Sequence, residues 1–515
     1  MDVLFGKMSR IGLRVGPLLA GAKGPLRWAA AGALAGGLPA VWMWGFTVDD
    51  ALIAVRYARH VAAGVGWRFN AEGPSTDGVT PLPWPCVLAP LAHADPMAVL
   101  ARAQGLGLVV WVLAGAALGV GVSRTRPAPA WTRAVPLLAL SLCVPVAAYA
   151  VSGMETAVPT ALATCATLMP RRPALAAVLA GLASAFRPEM AAWACAMGLG
   201  LAWVSVRTLE RSESSDGAPE RVRTLERSES SDGAPRLLLG PLLAVAPFAA
   251  CALVRASVWG RPAPLALMAK PSDVEHGLAY AVAACVVTLV PLIAFSPGAL
   301  RREPVALAIV ASAAVHVGAI VAVGGDWMPY ARLMVPVVPS LAYATAICAS
   351  IANRMAYGAR AGFALILGCL LIARGGTLGR RVGQDRADLI ARARPWLSGA
   401  RRVAALDIGW VGAATEADVF DLAGLTDPEV AALPGGHTSK RVDPMFFLSR
   451  DPDAALFYAP VGLPGGDLSR WQEATYPRVV EARLAHDPVI ARHYEPAAWL
   501  PLGGAGAGYV LLRKR

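Results

Sequence analysis

Two adjacent carboxylates, Asp49 and Asp50, open a polar segment directly behind the first long apolar run. Such a pair offers a general base with a neighbouring acid, or two oxygen ligands for a divalent cation. The plainer reading is a helix cap, because Asp is a favoured residue at helix starts. The next residues, ALIAVRYARHVAAG, have the spacing of an amphipathic helix expected to lie on the membrane, and a turn-rich stretch containing Asp77 follows. Four more polar clusters interrupt the apolar sequence. They are SGMET with Glu155, FRPEM with Arg187 and Glu189, WGRPAPLALMAK with Arg261 and Lys270, and GGDWMPYARLMVP with Asp326, Trp327, Tyr330 and Arg332. Taken singly, each cluster also reads as a helix boundary, since Gly and Pro end helices and Glu starts them.

The elements that must position these residues are membrane spans. Of 515 residues, 56% are hydrophobic and only 16% charged, with a mean hydropathy of +0.51. Apolar stretches of roughly 18 residues recur, and lipid forces such stretches into helices. Eleven spans are expected, at about 26–46, 98–123, 134–151, 155–169, 173–186, 189–206, 237–256, 279–296, 304–323, 333–351 and 361–374. The segment 80–92, with its interior prolines, reads as juxtamembrane or re-entrant. The basic N-terminus with Lys7, Arg10, Arg14, Lys23 and Arg27 precedes a first span read as retained rather than cleaved.

Loop charge orients the chain. With the N-terminus inside, inner loops carry twenty Lys and Arg and outer loops up to residue 332 carry seven, as the positive-inside rule requires. Much of the net charge of +12 is thereby accounted for without nucleic acid. All eight cysteines lie in apolar stretches without CxxC spacing, which argues against a zinc site or a disulfide framework. The segment VRTLERSESSDGAP occurs at 206–219 and again at 222–235; its composition reads as a disordered cytoplasmic loop, 206–236. The expected architecture is a polytopic α-helical membrane bundle, 1–375, with a first outer loop at 47–97. A linker helix at 376–397 and a small α/β domain at 398–515 outside the membrane complete it. The runs RVAALDIGWVG, DVFDLAGL, DAALFYAP and GYVLLRKR supply the domain's strands.

Once orientation is set, all five polar clusters fall on the outer face. Cations there oppose the general charge bias, and a lipid phosphate would account for them. The segment Asp49-Asp50, Arg56-Tyr57, Gly64-Val65-Gly66, Phe69-Asn70, Asp77-Gly78-Val79-Thr80 and Leu82-Pro83-Trp84 resembles the GT-C superfamily of integral-membrane glycosyltransferases. Within it, the closest group is that of the bacterial terminal arabinofuranosyltransferases of cell-wall arabinan synthesis. The resemblance continues through Ser152–Thr156, Arg187–Glu189, Gly324–Pro329, Asp407–Gly409 and Asp421–Pro428. At Asp77 and Val79 the chain departs from the family's Glu and aromatic residue.

The resemblance implies a GT-C-like bundle in the cytoplasmic membrane. It implies inverting transfer of a pentosyl or hexosyl group from a polyprenyl-phosphate donor to a cell-envelope glycan or lipid acceptor. Asp49 or Asp50 would be the general base, with a slight preference for Asp49. Arg261, Lys270 and Arg332 would hold the departing phosphate; Asp77, Glu155, Arg187, Glu189, Asp326 and Trp327 would orient substrate. No cofactor is assigned, and a divalent cation is left open. The rival readings are a lipid-linked glycan transporter or envelope scaffold, and a glycan polymerase or ligase. A transporter predicts ionisable groups near mid-span, where only Arg102, Arg255 and His316 lie in or beside apolar stretches.

Overall fold

The computed structural model describes residues 15–215, 233–288, 297–504 and 506–515. The start of the basic N-terminus and residues 216–232, the greater part of the duplicated segment, lie outside the described residues. The chain is mostly helical, with one small sheet near its C-terminus. Among the described residues five helices are long and apolar enough to cross a membrane: Pro96–Ser123, Met190–Arg207, Leu239–Trp259, Pro304–Ala322 and the continuous Arg354–Leu397. Ala130–Ser141 and Val144–Ala150, bent by 60° at their break, make a sixth if they form one span.

The expectation of eleven spans is therefore met in full length at five or six places among the described residues. Other expected spans are the shorter apolar helices Ala157–Thr167, Pro173–Phe186 and Arg332–Cys348, while the expected span 279–296 is described only up to residue 288, within Val274–Thr288. At 1.5 Å rise per residue, helices of this length fall short of a hydrocarbon core about 30 Å thick. Proline accounts for several of the breaks, as at Pro145, Pro173 and Pro188, because it removes a backbone donor and restricts the residue before it. The first helix, Val15–Trp42, packs closely on Pro96–Ser123; a Cβ at Gly32 would stand 2.1 Å from the carbonyl oxygen of Gly115. Small residues allow that approach where lipid gives no hydrophobic drive for helix association.

Loops gather at two ends. At one end Arg126 pairs with Glu303 at 2.7 Å, Tyr343 lies within reach of Arg124 and Arg171, and Tyr357 donates to the Thr132 carbonyl. At the other end lie the helix Asp49–Ala62, the remaining polar clusters and the C-terminal domain. The domain's five strands are β1 (Arg402–Ala405), β2 (Asp418–Asp421), β3 (Ala454–Ala459), β4 (Tyr494–Pro501) and β5 (Gly508–Lys514), in sheet order β2-β1-β3-β5-β4. β1 pairs parallel with β2 and β3, while β5 pairs antiparallel with β3 and β4. Four strands match the expected runs; β4 was not anticipated. The linker helix, Val382–Leu397, joins the preceding span through a π-helical turn at Ile372–Gly376.

The helix Asp49–Ala62 corrects an expectation. Both of its faces are covered by protein rather than one by membrane, and Ala51 to Ala58 are all buried. It packs between the domain's helix Ile408–Ala414 and the bundle elements Pro83–Leu88 and Pro96–Ser123, so bundle and domain share one continuous core. The segment 80–92 forms only the short helices Pro83–Leu88 and Ala89–Leu91, in keeping with a segment that does not span.

One buried acid in the domain gives a pH-dependent expectation. Glu481, in the helix Val479–Ala485, is fully buried, and burial pushes its carboxyl up to about 8 despite Arg478 Nη1 at 3.4 Å. Between the ordinary value of 4.5 and about 8, the folded chain holds a proton that the unfolded chain releases. Its contribution is thus fully present below that window and is lost as pH rises through it. Glu481→Gln should remove the dependence. Its stability gain over wild type should grow by about 1.4 kcal/mol per pH unit across the window. Thermal melts of the full chain at pH 5 and pH 8 read this, and an equal gain at both would refute it.

Candidate functional site

A cavity of about 380 Å³ lies at the end of the bundle next to the C-terminal domain. All five polar clusters reach it. Asp50 enters from the first turn of Asp49–Ala62, Glu155 from the loop after Val144–Ala150, and Arg187 and Glu189 from the break at Pro188. Lys270 comes from the end of the helix Leu265–Ala269, and Asp326 and Arg332 from the loop after Pro304–Ala322. Leu425 of the C-terminal domain completes the wall.

The loop 324–332 is held under strain. Tyr330 and Ala331 take left-handed backbone conformations, φ 59° and 48°, which cost energy for residues with a Cβ. Hydrogen bonds fix them: Tyr149 donates to the Pro329 carbonyl at 2.7 Å, and Tyr330 donates to that of Gly375 at 2.7 Å. Tyr280 accepts the Leu333 N–H at 3.1 Å. This aims Arg332 into the cavity, where its Nε donates to Asp326 Oδ2 at 2.7 Å. Its Nη1 lies 3.7 Å from Asp50 Oδ2.

Arg187 sits between Glu155 at 3.1 Å and Glu189 at 2.8 Å, but neither approach is aligned as a hydrogen bond. Lys270 makes no ion pair among the described residues, so its ammonium is the cavity's cation without a carboxylate within 4 Å. Among the described residues no group of three or more His, Cys, Asp or Glu is arranged to hold a metal ion.

Other expected residues stand elsewhere. Asp49 faces away from the cavity. Its two carboxylate oxygens accept the N–H groups of Gly409 and Trp410 at 2.8 and 2.9 Å, capping the domain's helix Ile408–Ala414. Burial at this junction pushes it up to about 6, with Asp407 adding to the rise and Arg386 opposing it. Neither Asp49 nor Asp50 caps its own helix, whose N-cap is Val48 without a side-chain bond. Asp77 is fully buried behind the cavity wall and accepts from Arg255 Nε at 2.6 Å. Arg261 does not line the cavity; its Nη1 lies 3.7 Å from Met268 Sδ. Trp327 stands outside it, stacked on His276 at 4.2 Å and close to His437.

Arg255 is a cavity residue that the sequence pattern did not single out for the site. Besides Asp77 it donates from Nη2 to the Thr80 carbonyl at 2.7 Å, fixing the wall formed by residues 78–81. A lone arginine near the end of an apolar span was the available signal.

The DLAGLTDP segment is shaped by Asp421. Its carboxylate accepts N–H groups from Ala423, Gly424 and Thr426, and the Thr426 hydroxyl. That holds the loop bearing Leu425 against Gly78, where an added Cβ would meet Thr426 at 2.5 Å. Nearby, Arg478 grips Asp407 through two hydrogen bonds at 2.7 and 3.0 Å, and Tyr509 donates to the same carboxylate. Burial works against the Asp407 charge, but Arg478 and Arg386 hold the carboxyl below its ordinary value.

Residues 383–511 match a family model described as Domain of unknown function (DUF8728), which covers the C-terminal domain and the helix leading into it. No curated protein and no solved structure matches the chain.

Proposed function

We propose that this chain is a membrane glycosyltransferase that takes a sugar from a polyprenyl-phosphate donor and passes it to a glycan or lipid acceptor on the outer face. The observation that carries the reading is the presence, in one cavity, of a half-buried carboxylate at Asp50 and of the Lys270 ammonium, which has no carboxylate within 4 Å among the described residues. The excess of Lys and Arg on loops at the opposite end supports an outer position for the cavity. A GT-C-like bundle with up to eleven membrane crossings, several by short helices, accommodates this reading.

In the reaction proposed, the acceptor hydroxyl oxygen attacks the anomeric carbon of the donor sugar from the face opposite the phosphate. The bond from that carbon to the phosphate oxygen breaks, and its electron pair leaves with the polyprenyl phosphate. The acceptor proton passes to Asp50. Charge growing on the phosphate is met by Lys270 and by Arg332, which Asp326 orients. Arg255 acts indirectly, as a brace for the wall at 78–81. Asp49 serves the junction with the C-terminal domain, and Arg261 and Asp77 have no direct part. No metal is needed in this scheme.

Purified full-length protein incubated with radiolabelled polyprenyl-phosphate pentose or hexose and an envelope glycan extract should release polyprenyl phosphate and label the glycan. Lys270→Ala should lower donor use more than acceptor use. Donor carried intact across a vesicle membrane, without transfer, would favour the transporter instead.

A further inference from the structure

The cavity's floor carries more hydrogen-bonding capacity than the protein itself uses. Glu155 is completely buried; its Oε2 has no partner among the described residues, and its Oε1 meets Arg187 Nη1 at 3.1 Å only as an ion pair. Arg187 Nη2 likewise has no partner, and Arg187 Nε and Glu189 Oε1 meet at 2.8 Å only as an ion pair, without hydrogen-bond alignment. All three side chains line the cavity. Buried polar groups left unpaired are costly, so a concentration of them in one wall points to a ligand that supplies the partners.

We propose that Glu155, Arg187 and Glu189 form the subsite for the transferred sugar ring, and that this subsite accepts a hydroxyl-bearing sugar without an acidic group. The inference rests on the glycosyltransferase reading and adds the substrate class. Hydroxyl groups suit the trio, because each can donate to a carboxylate and accept from a guanidinium. A uronic acid does not suit it. Arg187 is the cation of this wall, and it already faces two carboxylates, at 3.1 and 2.8 Å. A sugar carboxylate would enter without a free cation and against Glu155 and Glu189. The donor's phosphate is served separately, by Lys270. A volume of about 380 Å³ suits one sugar ring and a phosphate better than a longer glycan.

The test is equilibrium binding of short-chain donor analogues to the purified full-length chain in detergent. Four probes suffice: citronellyl methyl phosphate, and citronellyl phosphodiesters of arabinofuranose, glucose and glucuronic acid. All share the lipid and the phosphodiester, so differences report on the sugar. At least one neutral sugar should bind about tenfold or more tighter than the methyl diester, and glucuronosyl about tenfold or more weaker than glucosyl. Glu189→Gln and Glu155→Gln should each narrow the gap between glucosyl and glucuronosyl, read relative to the methyl diester in the same variant. Two variants are used so that misfolding of one does not decide the matter.

If the methyl diester binds but no sugar improves on it, or glucuronosyl matches glucosyl, the sugar subsite is refuted and the donor reading survives. If none of the four probes binds, the donor reading fails and takes this inference with it.

Discussion

Asp50→Asn should fold normally, bind donor and lose nearly all transfer, by roughly a hundred- to ten-thousandfold, the usual worth of a positioned general base. The side chain is about a quarter exposed, lines the cavity and lies 3.7 Å from the arginine that Asp326 orients. An amide keeps the shape but cannot take the acceptor proton. The informative control is its neighbour. Asp49→Asn retains one oxygen for the N–H groups of Gly409 and Trp410, so it should weaken the domain junction and leave most of the turnover. Single-turnover transfer with donor bound beforehand separates the two effects. Should Asp49→Asn abolish transfer with the domain still docked while Asp50→Asn stays active, the roles are reversed.

Arg56→Met should produce the largest loss of stability of any single change in residues 47–97. The guanidinium is buried and donates to four carbonyl oxygens: Phe69 at 2.7 Å, Gly412 at 2.9 Å, Thr415 at 3.0 Å and Ala417 at 2.8 Å. Three of those belong to the C-terminal domain. Methionine fills much of the space but offers no donor, and buried acceptors without partners cost about 1–3 kcal/mol each. Allowing for relaxation, a loss of about 3 kcal/mol or more is expected. Its visible form should be proteolysis between bundle and domain under conditions where wild type is intact. Arg59→Ala gives the contrast: its pair with Glu416 at 3.0 Å is exposed, and such pairs are worth about 1 kcal/mol or less. Equal protease resistance in Arg56→Met and wild type would remove Arg56 from this role.

What could be read from the residues was whatever leaves a local mark. The helix Asp49–Ala62 shows in its spacing, four of five strands show as short apolar runs between turns, and the polar clusters stand out against apolar neighbours. Their convergence on one cavity followed from orienting the chain by loop charge. What stayed hidden depends on distant partners. Asp77 and Arg255 are 178 positions apart, and nothing in either segment announces the other. Asp49 and Asp50 are chemically alike and adjacent, so only the domain packed against one of them tells them apart. β4 escaped because YEPAAWLP carries two prolines, which weigh against a strand, yet it lies at the sheet's edge where they are tolerated. Five or six of the eleven expected spans are helices long and apolar enough to cross among the described residues, and Ala157–Thr167 and Pro173–Phe186 are shorter, with prolines at the breaks beside them.

The continuous helical element Arg354–Leu397 has a mechanical consequence. Forty-four residues at 1.5 Å each make a mast about 66 Å long, roughly twice the thickness of the hydrocarbon layer. Near its midpoint it is stayed against the first helix, where the Gly383 N–H meets the Gly45 carbonyl at 2.8 Å and Gly376 abuts Trp42. The C-terminal domain thus rests on the bundle end at two supports, the stayed mast and the shared core. On the glycosyltransferase reading, an acceptor would have to bring its hydroxyl into the cavity between bundle and domain rather than to the far tip of the mast.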